Sequence, residues 1–452
     1  MTSLLKKGAL VAFGLLLAAI PSRGAEKLVF AHYMVCCPTA AQSATLDDFK
    51  NEIREAQARG IDGFALNCGG WAPKEPAYRD RSYLMYQAAA ELGTGFKLFF
   101  SYDFNTLHGY DPMREMIEAF RDHPNQLRYQ GKPVLSTFGG RATEFVDKEF
   151  TGDKAISFIP FYYVHPATET PTDDQIRELA AQNPTLAGFF NFGGGGSPDQ
   201  IDRISRTMAD TWHGMGKIFM APVLPFYAGL KGNFRVFEYD GLEGMAKQWE
   251  TAIQCADWVE MVTWNDWGES SYVAPFNDPD KTAFRNGAWG GNWGGNWGTM
   301  LSHTAYLDAS RYYIAWFKTG KPPAIDKDRV FYFYRLSPAS VPGYPGRGQV
   351  AADVLGFPAG AKTLKDRVFA SAFLAAPAQL EISVGAQRQT FDLEAGVHHV
   401  SLPMDAGRPR FILRREGKVV FEKEGELEIT NNPPAVFNYF SGSAEAAPVP
   451  KS

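Results

Sequence analysis

The chain has 452 residues, 45% of them hydrophobic and 21% charged. That is the composition of a globular protein with room for one large domain and a smaller one, not of a disordered or collagen-like chain. The formal net charge is −5, and Lys6, Lys7 and Arg23 lie in the first 24 residues, so the remainder is more acidic still and has no general attraction for nucleic acid or anionic membranes.

The N-terminus reads as a signal peptide over residues 1–24. Lys6-Lys7 forms a charged region, Ala9 to Ile20 an apolar run, and Ser22-Arg-Gly24 a small-residue cleavage site. The apolar run is short against the roughly 20 residues of a membrane span; an uncleaved anchor is the alternative. The mature protein is expected to start near Ala25, to be secreted or periplasmic, and to have no membrane attachment after cleavage.

From Lys27 onward, short apolar runs alternate with amphipathic stretches. The runs are Leu28–Val35, Gly63–Asn67, Phe96–Phe104, Pro133–Phe138, Ile156–Val164, Leu186–Phe192, Ile218–Tyr227 and Val259–Trp264. Their near-continuous hydrophobicity is that of strands buried on both faces. The first helix is representative. Thr45 caps it with Asp48 three residues on, Leu46, Phe49, Ile53 and Ala56 recur at helical spacing, and Gly60 stops it. Further helices are expected around 80–92, 111–121, 141–150, 173–182, 198–213, 241–253 and Thr304–Phe317. The count is that of an α/β chain folded as a (β/α)8 TIM barrel over 25–322. An open doubly wound sheet also alternates, but no Gly-x-Gly-x-x-Gly follows the first strand.

Past Lys321-Pro-Pro323 the pattern changes to short alternating strands: Val330–Leu336, Arg367–Phe373, Leu380–Val384, Gln389–Leu393, His398–Leu402, Arg410–Arg414, Lys418–Glu422 and Leu427–Thr430. These predict an antiparallel β-sandwich over 323–440, with a disordered tail over 441–452. The four cysteines, Cys36, Cys37, Cys68 and Cys255, form no Cys-x-x-Cys pair, which argues against a zinc or thioredoxin-type site. The expectation is a bridge from Cys36 or Cys37 to Cys68, or buried free thiols.

Barrels of this kind keep their chemistry at the C-terminal strand ends. There the sequence places His32 and Tyr33, Asn67, Asp103, Tyr163 and His165, Asn191, Tyr227, and finally Asn265, Asp266, Trp267 and Glu269. No nucleophile elbow, His-Glu-x-x-His or phosphate-binding Gly-Lys motif is present. Paired carboxylates among aromatics suit glycosidic bond cleavage, which needs a proton for the leaving oxygen and a second carboxylate to activate water or to attack the anomeric carbon. Asp266 and Glu269 are the candidates. Asp266 after Asn265 equally suits a turn or helix cap, and Asp103 equally suits a partner for a basic side chain. The stretch Gly287–Gly298, with Trp289, Trp293 and Trp297 among glycines, reads as a stacking platform for sugars or as a flexible insertion. No cofactor or metal is expected. The expected partner is a polysaccharide, and the expected state a monomer.

Several stretches together resemble glycoside hydrolase family 71, the α-1,3-glucanases often called mutanases. They are Val29-Phe-Ala-His-Tyr-Met-Val35, Gly60-Ile-Asp-Gly-Phe-Ala-Leu-Asn67, Phe96-Lys-Leu-Phe-Phe-Ser-Tyr-Asp103, Leu135-Ser-Thr-Phe138, Met220-Ala-Pro-Val223 and Val262-Thr-Trp-Asn-Asp-Trp-Gly-Glu-Ser270. The resemblance implies endo-type hydrolysis of α-1,3-linked glucan with inversion, using Asp266 and Glu269. Met300-Leu-Ser-His303 is similar to a family Met-Pro-His stretch, which makes His303 a candidate substrate contact. The chain departs from the pattern at Gly139-Gly140, where Glu-Gly is expected, and at Phe190-Asn-Phe-Gly193, which replaces a Trp-containing strand end.

The three-residue spacing of Asp266 and Glu269 does not choose between mechanisms. An inverting pair is about 6.5–9.5 Å apart and a retaining pair about 5–5.5 Å, and both are reachable at this spacing. Inversion is taken from the resemblance, with Glu269 as acid and Asp266 as base. Two rivals stand: a barrel glycosidase of the endo-α-mannosidase type, whose strand-end motif is similar, and a non-catalytic carbohydrate-binding protein.

Overall fold

The structure is a computed structural model that describes residues 26–40, 43–71, 76–164, 171–193, 196–229, 235–275, 301–343 and 355–446. The expected signal peptide, His165 and the glycine–tryptophan stretch with Trp289, Trp293 and Trp297 lie outside the described residues.

The buried apolar runs form one predominantly parallel sheet. Its strands are β1 (Leu28–Met34), β2 (Gly63–Cys68), β3 (Lys97–Asp103), β4 (Lys132–Gly139), β5 (Ser157–Phe158), β6 (Phe161–Tyr162), β7 (Gly188–Phe190), β8 (Ile218–Val223) and β9 (Trp258–Met261). The order is β4-β3-β2-β1-β9-β8-β7, with β5 and β6 on β4. First and last strands are therefore neighbours, Phe30 opposite Glu260. Ala187 N–H also donates to Phe158 O at 3.0 Å and Phe190 N–H to Pro160 O at 2.9 Å.

The helices bury apolar residues in the core that includes this sheet. In α1 (Leu46–Gln57) the Thr45–Asp48 capping box is present, and Phe49, Ile53 and Ala56 are buried. Glu52 is buried among them, which the apolar spacing alone did not announce. The remaining helices are α2 (Pro76–Leu92), α3 (Asp111–Phe120), α4 (Thr143–Glu149), α5 (Asp173–Gln182), α6 (Pro198–Gly214), α7 (Glu243–Cys255) and α8 (Thr304–Thr319). Among the described residues, no helix is long and apolar enough to cross a membrane.

The last third forms two antiparallel four-stranded sheets. With β10 (Arg329–Arg335), β11 (Arg367–Leu374), β12 (Ala378–Val384), β13 (Gln387–Leu393), β14 (Gly396–Pro403), β15 (Arg410–Arg415), β16 (Lys418–Glu424) and β17 (Tyr439–Glu445), the orders are β14-β11-β10-β17 and β13-β12-β15-β16. Alternation along β10 divides its side chains. Val330, Tyr332 and Tyr334 join a cluster with Leu380, Ile382, Phe411 and Leu413 of the other sheet. Phe331 and Phe333 join the main core.

Four expectations are corrected. The fifth run is divided by Pro160, which has no N–H to give a ladder. The seventh ends at Val223, and Tyr227–Ala228 pairs instead with Val236–Phe237. Leu427–Thr430 contributes only a bridge from Ile429 to Gly407, while the final strand continues to Glu445, past the expected boundary at 440, because Ser441, Gly442 and Ser443 pair with β10 despite their turn-like composition. The disulfide joins Cys36 to Cys37, and Cys68 and Cys255 are free. Cys68 is fully buried, and burial pushes its thiol up to about 12.

Candidate active site

The segment after β9 is held by its own buried side chains. Trp264 N–H donates to His32 O at 2.7 Å, and its indole Nε1 donates to Glu52 Oε2 at 2.8 Å. Asn265 Nδ2 donates to Met34 O and Cys37 O, while its Oδ1 accepts from Met34 N. Trp267 Nε1 donates to Cys37 O at 3.0 Å. Asn265 and Trp267, expected to touch substrate, are thus buried and engaged in tying this segment to the loop after β1.

Between Val262 and Ser270, only Asp266 and Glu269 are not buried; both are half-buried. Asp266 N–H donates to Thr263 Oγ1 at 2.7 Å, and its Oδ1 accepts from Gly268 N at 3.1 Å. Asp266 therefore does cap the short turn Trp267–Glu269, as its place after Asn265 allowed, and the residue remains only half-buried. Ser270 then turns in the left-handed region at φ 54°, an uncommon place for a side-chain-bearing residue. That turn follows the carboxylates directly.

Around Glu269 lie residues from other strand ends. The Tyr227 hydroxyl donates to Glu269 Oε1 at 3.3 Å. Burial, and then the Glu269 carboxylate, hold the Tyr227 hydroxyl well above its ordinary pKa. The Arg235 guanidinium lies 5.2 Å from the Tyr227 ring centre and 5.8 Å from that of Phe237. Tyr163, 39% exposed, is within electrostatic reach of Glu269, Asp103 and Arg235.

A second group lies at the ends of β1, β2 and β3. Asn67 Nδ2 donates to Asp103 Oδ2 at 3.3 Å, and Asp103 Oδ1 accepts from Asn105 N at 2.8 Å. Burial outweighs these hydrogen bonds and raises the Asp103 carboxyl above its usual pKa. His32 Nδ1 is 2.6 Å from Glu260 Oε1, both fully buried. The imidazole meets Phe192 edge-on at 5.1 Å, and Phe192 meets Phe138 at 4.7 Å. Phe138, Phe161 and Phe192 make an apolar wall that continues to Tyr163, 4.9 Å from Phe161. Asn191 is buried, and its Nδ2 has no hydrogen-bond partner among the described residues.

Two further expectations are corrected by burial. Tyr33 points behind β1, packing on Phe64 at 5.0 Å, with Glu52 nearby. His303 is 0% exposed; Nδ1 bonds Tyr272 O, and Nε2 bonds Asn438 Oδ1 and Tyr439 O. Burial pulls its imidazole down to about 4, and it joins the segment before α8 to β17. Neither side chain has a face left for a sugar.

The sequence reading missed Glu260, Glu52, Asn105 and Arg235. The two glutamates had a signal. A lone carboxylate in a strand or helix face buried on all sides must have a partner. Arg235 lies in a loop and had none. The departures from the family pattern also acquire an environment. Gly139 has φ +98°, and a Cβ there would lie 3.4 Å from the Tyr163 ring, so Tyr163 stands beside the position where the pattern has Glu. Phe192 covers one side of His32.

Half-buried carboxylates and a tyrosine at parallel strand ends, beside an aromatic wall, are a grouping of side chains suited to polar ring-shaped ligands. The sequence profile of Glycosyl hydrolase family 71 matches residues 25–451. This chain belongs to that family and is a glycoside hydrolase. It is 29% identical to the glucan endo-1,3-alpha-glucosidase agn1 of Schizosaccharomyces pombe over 434 residues, 94% of this chain and 96% of the relative. It is 27% identical to a mutanase of Penicillium rubens over 441 residues, 94% and 91% of the two chains. Among solved structures, a GH99 endo-alpha-mannosidase from Bacteroides thetaiotaomicron is similar in fold, with a TM-score of 0.50, 14% identity, 65% of this chain covered and 98% of the other.

Proposed function

We propose that this chain hydrolyses α-1,3-glucosidic bonds within α-glucan, endo-acting and with inversion, by general acid/base catalysis between Glu269 and Asp266. The observation that carries the reading is the exposure of these two carboxylates alone in an otherwise buried segment at the end of β9. Glu269 gives its proton to the leaving glucosyl oxygen, helped into position by Tyr227. Asp266 takes a proton from water arriving at the opposite face of the anomeric carbon. Tyr163, Asn67, Asp103 and Asn191 bind the sugar hydroxyls, with the Phe138–Phe192 wall on the ring face and the buried His32 behind that wall. His165 and Trp293 are proposed as further contacts of the glucan. The names of the relatives support the linkage.

The parallel sheet closes as a (β/α)8 barrel in this account; the hydrogen bonds from Ala187 to Phe158 and from Phe190 to Pro160 support it. The two antiparallel sheets pack as a sandwich that braces the barrel from about residue 323. Tyr439 supports bracing, since its ring meets Phe226 at 4.7 Å and its hydroxyl donates to Glu238 at 2.9 Å. Removal of residues 1–24 delivers a secreted or periplasmic monomer.

The test is product analysis on α-1,3-glucan, α-mannan and β-glucans, with proton NMR of the first product. Oligosaccharides released from α-1,3-glucan, appearing first as the β-anomer, are expected. Release from α-mannan alone supports the endo-α-mannosidase reading, a first α-anomer contradicts inversion, and binding without any reducing-end release contradicts catalysis.

A further inference from the structure

Cys36 and Cys37 are bonded to each other in the loop that follows β1. Several side chains grip the backbone of that loop. Asn265 Nδ2 donates to Cys37 O at 2.7 Å, and Trp267 Nε1 donates to the same oxygen at 3.0 Å. Arg81 Nη1 donates to Cys36 O at 2.7 Å. Asn265 and Trp267 are the neighbours of Asp266 on either side, so a single carbonyl oxygen receives the side chains before and after it. A bond between adjacent side chains closes a small ring that contains the Cys36–Cys37 peptide and removes most of the freedom of Cys36 ψ and Cys37 φ, the two dihedrals that place the Cys37 carbonyl carbon. The carbonyl oxygen still turns about Cys37 ψ, and there the Asn265 and Trp267 donors hold it.

We propose that the Cys36–Cys37 disulfide is a positioning element for catalysis: it fixes where the Cys37 carbonyl group sits and, through Asn265 and Trp267, holds Asp266 in its working place. The proposal rests on the reading of Asp266 and Glu269 as the catalytic pair. Reduction by a dithiol breaks the S–S bond with two electrons and two protons, giving two thiols, while the dithiol becomes its own disulfide. Cys36 ψ and Cys37 φ are then free to change, the Cys37 carbonyl shifts, and Asp266 departs from the geometry that aligns water with the anomeric carbon. Misplacement on the order of 1 Å costs about a hundredfold in rate. The groups proposed to bind sugar hydroxyls lie on other strand ends and keep their positions, so kcat falls and KM does not.

The full chain, without its leader, is treated with dithiothreitol under native conditions. Thiols are counted by maleimide labelling in denaturant and mass spectrometry, and kcat and KM on soluble α-1,3-glucan are measured before reduction, after it, and after reoxidation. With one disulfide and two free cysteines, two labels are expected before reduction and four after. The expected kinetics are a fall in kcat of about tenfold or more, KM changed less than about twofold, unchanged circular dichroism and recovery on reoxidation. Four labels before reduction, an unchanged kcat, a loss confined to KM, or loss of the folded spectrum each overturns the proposal. The double variant Cys36→Ser/Cys37→Ser gives an independent reading: the kcat of the reduced enzyme and no response to dithiothreitol. A response in that variant places the effect elsewhere and overturns the proposal. Failure of the underlying reading is distinguishable, because Asp266→Asn or Glu269→Gln would then remain active whatever the thiol count.

Discussion

The Tyr227 hydroxyl donates to Glu269 Oε1 at 3.3 Å, while the Arg235 guanidinium lies over the same tyrosine ring, 5.2 Å from its centre. The contact fixes one carboxylate oxygen and leaves the carboxylate half-buried. A hydrogen bond to a charged group contributes about 1.5 kcal/mol, and a long one less. Tyr227→Phe keeps the ring beneath Arg235 and removes only the hydroxyl. Its kcat should fall about five- to tenfold, measured by initial rates at saturating glucan; an unchanged kcat would separate Tyr227 from the reaction.

The His32–Glu260 pair is fully buried, with 2.6 Å between Nδ1 and Oε1. Removing one partner of such a buried hydrogen-bonded pair leaves the other unsatisfied, at a cost of about 1–3 kcal/mol. Glu260→Ala should lose stability on that scale in urea unfolding, and Glu260→Gln, which keeps an acceptor for the imidazole, distinctly less. Equal losses would mean that packing volume, not the hydrogen bond, is what matters there.

Glu52 makes a pH prediction. Burial pushes its carboxyl up from 4.5 to about 7, against the hydrogen bonds from Thr39 and Trp264. The folded chain therefore binds the proton more tightly than the unfolded one, and its contribution is complete below pH 4.5 and lost as pH rises through 7. At about 1.4 kcal/mol per pKa unit, the loss is on the order of 3 kcal/mol. Glu52→Gln carries no titrating proton, so the melting temperature of the wild type should fall relative to that of the variant from pH 5 to pH 8. A wild type that gains on the variant over that range would contradict the burial argument.

Gly139 adjoins Tyr163 with φ +98°. Gly139→Ala forces a side-chain-bearing residue into a region it disfavours, at about 1–3 kcal/mol, and presses on the Tyr163 ring. Lower stability in urea unfolding together with a raised KM is expected; a variant as stable as wild type would show that the loop adjusts.

Most of the architecture was legible because burial on both faces leaves a plain trace. β1 to β4 and α1 to α8 lie where their apolar patterns and caps put them. What escaped was set by single residues. Pro160 divided a strand that hydrophobicity alone could not divide, and the Ser-Gly-Ser stretch in β17 concealed a strand whose partner, β10, is more than a hundred residues away. In the site, position along a strand end was readable, but side-chain direction was not. Tyr33 and His32 are adjacent, so the strand's alternation sends one toward α1 and the other toward Glu260. Asn265 and Trp267 stand beside the proposed catalytic pair, yet their polar atoms are taken by the backbone of a loop more than two hundred residues away.

Joint cleavage of the α-1,3-glucosidic bond by Asp266 and Glu269, as proposed, is measured by reducing-end release from α-1,3-glucan with the wild type, Asp266→Asn and Glu269→Gln at equal concentrations of folded protein. Each neutral substitution removes one side of the acid/base pair and should lower kcat by about a hundred- to ten-thousandfold. Either variant turning over at close to the wild-type rate would contradict the account.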